Sequence, residues 1–71
     1  MKAFTPVTYF PRFGNRIHCA LYAGETVEPE RLPTTFTEVW PAIHAPNFRA
    51  ARHAARKMFD KRKVCIDNGL F

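Results

Sequence analysis

The sequence predicts a small α+β fold: a β-hairpin, a short helical turn, one long basic amphipathic helix and a third strand. Three observations carry this. Residues 3–22 hold two stretches of strand-forming residues around Gly14-Asn15. Residues 48–62 repeat apolar positions at helical spacing. A short apolar run, Val64-Cys65-Ile66, follows them. The expected order is ββαβ. Residues 1–71 are expected to form a single domain, because 71 residues leave no room for a second core. A chain this short hides only about 60% of its unfolded surface. Its 46% apolar content, rich in Phe, still suffices for a core and argues against a disordered tail.

In the hairpin, Thr5, Val7, Thr8, Tyr9 and Phe10 are β-branched or aromatic, and such side chains suit a pleated, half-buried surface. Gly14-Asn15 is a pair that adopts positive φ between two strands. Ile17, Cys19 and Leu21 then alternate with Arg16, His18 and Tyr22, the period of a strand with one face buried. Adjacent His18 and Cys19 therefore point to opposite faces. Pro6 and Pro11 have no amide hydrogen, which predicts a first strand that is bent or at a sheet edge.

Gly24, Pro29, Pro33, Pro41 and Pro46 punctuate residues 23–46, which read as a connection. Thr35-Phe36-Thr37-Glu38 has the form of a capping box, with Thr35 as N-cap and Glu38 at N3, and predicts one helical turn. Phe36, Val39, Trp40 and Ile43 are too apolar for a free loop. Either they fold back over the core or they present an anchor to a partner. Phe36 and Trp40 are the anchor candidates, since Trp is among the commonest interface hot spots. Burial is the better expectation for Trp40, because a small domain seldom leaves its single tryptophan idle on the surface.

The helix predicted over residues 48–62 starts after Asn47, a good N-cap. At 100° per residue, Phe48, Ala51, Ala54, Ala55, Met58 and Phe59 share one side. Arg49, Arg52, His53, Arg56 and Lys57 share the other. The alanines raise helix propensity and permit close approach to a sheet. The predicted core is Ile17, Cys19, Leu21, Ala51, Ala55, Met58, Phe59 and Ile66. Asp67-Asn68-Gly69 predicts a turn that ends the third strand.

The formal charge is +5, and it is concentrated. Residues 47–63 carry Arg49, Arg52, Arg56, Lys57, Lys61, Arg62 and Lys63 against one acid, Asp60. The rest of the chain is close to neutral, so the positive field belongs to one segment and favours an acidic partner. Arg49, Arg52 and Arg56 form one stripe, and guanidinium groups grip phosphates and carboxylates bidentately.

Catalytic signals are weak by comparison. His18, Cys19, His44, His53 and Cys65 are the candidate metal ligands, and none has the spacing of a zinc site. No metal and no cofactor is expected. Either cysteine could be written beside His18 or His53 as a nucleophile, but neither sits in a catalytic signature. The chain contains no serine and only three scattered glycines, Gly14, Gly24 and Gly69, so a phosphate-cradling loop is missing. Glu25, Glu28 and Glu30 read as a solvated acidic loop. The two thiols are expected to be reduced and the chain cytoplasmic, since no apolar leader opens it and no apolar run is long enough for a membrane.

The reading that follows is a non-enzymatic binding module. Arg49, Arg52, His53, Arg56 and Lys57 would engage an acidic partner, first of all nucleic acid. The alternative is a small inhibitor or adaptor of the kind phages and mobile elements make against host machinery, docking on a host protein complex through the Arg stripe with Phe36 or Trp40 as anchor. The run from Arg49 to Met58 loosely resembles the basic, alanine-rich final helix of double-stranded-RNA-binding domains. That family's first helix and three-stranded meander are not found here, and a strand follows the helix instead.

Overall fold

A computed structural model describes residues 1–12, 14–32, 37–60 and 62–70. It is an α+β arrangement of one helix on a five-stranded sheet. Strands β1 (Lys2–Tyr9) and β2 (Ile17–Ala23) form the expected antiparallel hairpin. A 3-10 turn, Pro29–Arg31, precedes two short strands, β3 (Thr37–Val39) and β4 (Ile43–Ala45). Helix α1 (Phe48–Met58) and strand β5 (Val64–Leu70) complete the chain. The sheet order is β3-β1-β2-β5, with β4 beside the other half of β1. The expected ββαβ order is met only roughly: β1, β2, α1 and β5 follow it, but β3 and β4 stand between β2 and α1, where a connection was expected.

The first strand is not a sheet edge. Strand β1 lies inside the sheet, with β2 on one side and β3 and β4 on the other. Pro6 is tolerated because the facing edge is broken. β3 pairs with β1 from Val7 to Tyr9, and β4 pairs with it from Lys2 to Phe4. Between them the amide of Trp40 donates to the carbonyl of Pro6 at 2.9 Å. In a strand the nitrogen and carbonyl of one residue point the same way, so the missing N–H of Pro6 faces this break, where no ladder bond is lost.

Glu38, expected in a helical turn, lies in β3 opposite Thr8. Thr35 and Phe36 fall outside the described residues. Local capping chemistry was overridden by the open edge of β1. Asp67-Asn68-Gly69 does not turn either: it continues β5. β5 runs parallel to β2, and its register shifts there, with Cys19 opposite Ile66 but Leu21 opposite Leu70. The polar residues are absorbed as an irregularity in the ladder.

Each face of the sheet has its own apolar cluster. Phe4, Cys19, Leu21 and Ile66 meet Ala45, Ala51 and Ala55 on the helix face. Val7, Ala20 and Tyr22 lie on the other face under Val27 and Leu32. Thr5 is buried there and donates from Oγ1 to the carbonyl of Gly24 at 2.7 Å. Gly24 has φ 105°, a conformation that favours glycine.

Asn47 caps α1 as expected, accepting at Oδ1 from the amide of Ala50 at 2.8 Å. The helix ends at Met58, four residues short of the expected end at 62. Phe59 is extended, and the carbonyl of Asp60 accepts from the amides of Lys63 and Val64, turning the chain into β5. Two core assignments are corrected, Met58 beside the early end of the helix and Ile17 at the start of β2. Met58 is 48% exposed and Ile17 40% exposed, while Phe59 leaves the helix and packs against the core. Leu21→Ala is expected to cost about 2–5 kcal/mol, because Leu21 is fully buried. Met58→Ala should change stability by less than about 0.5 kcal/mol. Urea unfolding of both variants checks the contrast, and equal losses would contradict it.

Candidate functional site

The exposed face of α1 carries Arg49, His53, Arg56 and Lys57, all open to solvent. They are held there because Ala51 and Ala55, fully buried, seat the opposite face on the sheet. No Asp or Glu occurs between Phe48 and Met58. His18 meets the carboxylate of Asp67 and His44 that of Glu25, and none of these four residues belongs to α1.

Arg52 differs from its neighbours in the stripe. It is half-buried, and its guanidinium turns toward β5. Nε donates to the carbonyl of Asp67 at 3.2 Å, and the terminal nitrogen donates to the carbonyl of Ile66 at 3.4 Å and to Oδ1 of Asn68. Arg52 is thus a strap between helix and edge strand. The expectation that Arg49, Arg52 and Arg56 all face solvent alike is corrected for Arg52. The helical wheel gave its direction, but only the folded chain brings acceptors within its reach.

An open cleft of about 900 Å³ runs between α1 and β5. Arg16, Arg52, His53, Arg56 and Lys57 line it beside Asn68, with Phe59, Val64 and Ile66 supplying apolar surface. Asp60 is the one acidic residue on its wall. A smaller depression of about 560 Å³ lies toward the start of the helix, between Asn47, Arg49 and Arg56.

Trp40 is half-buried and engaged within the fold. Its Nε1 donates to Oγ1 of Thr8 at 2.9 Å, and its ring meets that of Phe59 edge-on, with centroids 5.2 Å apart. This pins the break between β3 and β4 to the end of α1. Phe36, the other candidate anchor, lies outside the described residues.

A polar cluster that no sequence pattern announces lies on the sheet face away from the helix. The hydroxyl of Tyr9 donates to Oδ2 of Asp67 at 2.7 Å, and Nδ1 of His18 lies 3.1 Å from Oδ1 of the same carboxylate. The rings of Tyr9 and His18 are 5.7 Å apart. The three residues sit on three strands, so no spacing along the chain announces them. Burial, reinforced by the bond to Asp67 and by its charge, pushes the Tyr9 hydroxyl well above the usual phenol range.

The two cysteines sit on opposite faces of the sheet, Cys19 opposite Ile66 and Cys65 opposite His18, so they cannot bridge. Burial, and then the charge of Asp67, pushes the Cys19 thiol up to about 12, which keeps it protonated and unreactive. Among the described residues, no three of His, Cys, Asp and Glu converge to hold a metal ion. No helix among them is long and apolar enough to cross a membrane. No family model matches the chain, and no curated protein or solved structure is significantly similar to it.

Two predictions follow from these contacts. Arg52→Ala should cost about 1–2 kcal/mol, since a charged donor leaves three acceptors at a half-buried site. Arg49→Ala should cost almost nothing, and thermal melts of the pair separate strap from surface. The second prediction concerns pH. The Cys19 thiol titrates higher folded than unfolded, so its contribution to stability is complete below about pH 9 and is lost as the pH rises through 12. Denaturant midpoints measured across that range should fall, and Cys19→Ala should fall less steeply.

Proposed function

We propose that this chain is a non-enzymatic binding module that engages nucleic acid through the exposed basic face of α1. The observation that carries the reading is electrostatic: four Arg or Lys residues and one His lie on an eleven-residue helix that has no acid. A helix selected for stability alone places acids in its first turn and intersperses opposite charges at i,i+4. Here the first turn has no acid and carries Arg49, against the helix dipole. Arg52 and Arg56 are an i,i+4 pair of like charge, a type that costs about 0.2–0.5 kcal/mol. A polyanion relieves this repulsion on binding, and released counterions drive the association.

Nucleic acid is favoured over an acidic protein surface for two reasons. The stripe from Arg49 to Arg56 spans about 10 Å at 1.5 Å per residue, and a sugar–phosphate backbone offers charge repeatedly over such a length. The residue that would best anchor a protein interface, Trp40, is committed to Thr8 and Phe59.

The test combines Arg49→Ala, Arg56→Ala and Lys57→Ala, leaving Arg52 to hold β5. The variant should fold normally and bind mixed-sequence oligonucleotides much more weakly. Its log–log salt slope should be flatter by roughly 2–3 units, because each lost phosphate contact contributes about 0.9. A folded variant with undiminished affinity and an unchanged slope would reduce the basic face to ordinary solvated surface.

A further inference from the structure

We infer that the nucleic acid this chain takes is single-stranded, with the backbone along Arg56 and Lys57 and an unstacked base entering the cleft between α1 and β5. This rests on the proposed nucleic-acid reading and narrows it. The argument is one of shape. A helix that reads a duplex must project far enough to enter a groove. α1 lies flat on its sheet, with Ala51 and Ala55 fully buried, and Arg52 ties its flank to β5. Arg56, Lys57 and His53, on the exposed side of the helix, also border an open concavity of about 900 Å³ between α1 and β5.

The lining has the composition an unpaired base requires. Arg56 and Lys57 supply cations on the helix side for phosphates, His53 adds a ring that can hydrogen-bond, and Phe59, Val64 and Ile66 supply apolar surface within. Asn68 adds a polar group on the strand side, and its Oδ1 is held by Arg52, which fixes the orientation of the amide. A cationic rim around an aromatic and apolar interior is how single strands are held without strict sequence preference. Bases in a duplex are stacked and paired, so they reach such an interior only after paying for extrusion. A duplex would touch the rim alone.

The structure also supplies a reporter. Phe59 lines the cleft and its ring meets Trp40, the one tryptophan. A base seated against Phe59 should change Trp40 fluorescence, whereas contact at the rim should not.

The experiment uses the intact chain with DNA and RNA oligomers of about 16 nucleotides, single-stranded and annealed, at one salt concentration. Anisotropy should give at least a tenfold tighter Kd for the single strands, accompanied by a change in Trp40 emission. Asn68→Ala should weaken single-strand binding several-fold without altering the salt slope, because Asn68 carries no charge. If that variant does not fold, the comparison of oligomers on the intact chain decides alone. Duplex bound as tightly as single strand, or more tightly, overturns this inference and leaves the proposed function standing. Binding of neither form removes both.

Discussion

Pro6 sits fully buried in the middle of β1, the strand that pairs with β2, β3 and β4. Its missing amide hydrogen means that no unbroken strand can pair along the edge it faces. The chain meets this constraint with two three-residue strands and a gap between them. Trp40 stands at the gap. Its amide satisfies the carbonyl of Pro6, and its side chain reaches across to Thr8 and Phe59. Phe59 in turn marks where α1 ends and forms part of the cleft beside β5. One absent donor in β1 thereby reaches through Trp40 to the place where the basic surface becomes concave.

Strand β5 is the second point of convergence. Asp67 gives its carboxylate to Tyr9 and His18 on one side of the sheet and its carbonyl to Arg52 on the other. The edge strand is therefore held from both faces. Among the described residues no further strand pairs with its outer side. An uncovered edge invites pairing with another chain, and a charged side chain laid against it is a common protection. Arg52 serves that purpose, which separates it from the arginines on either side of it. A stripe that looks uniform by sequence has one structural member and two exposed ones.

The exposed members exist at some cost to the fold. A chain of this size has a small stability margin. The helix nonetheless omits acids from its first turn and leaves like charges as neighbours. The close packing of Ala51 and Ala55 and the bonds of Arg52 offset this and hold in place the helix that carries the basic face.

Periodicity alone determined the hairpin, the helix with its Asn47 cap, and the division of α1 into buried alanines and exposed cations, because each depends on neighbours a few residues apart. The opposite directions of His18 and Cys19 followed from the same rule. Tertiary structure decided what depends on strands meeting. The capping-box pattern ending at Glu38 yielded to strand pairing, since the open edge of β1 offered more hydrogen bonds than one helical turn. Asp67-Asn68-Gly69 stayed in the sheet because β2 pairs with β5 before them at Ile66 and again after them at Leu70, with the register shifted between. Met58 lost its core place to Phe59 once the Asp60 turn ended the helix. The cluster of Tyr9, His18 and Asp67, and the strap from Arg52, join residues that only the fold makes neighbours. Spacing along a chain encodes local geometry, and contacts between distant segments exist only when the whole sheet has closed.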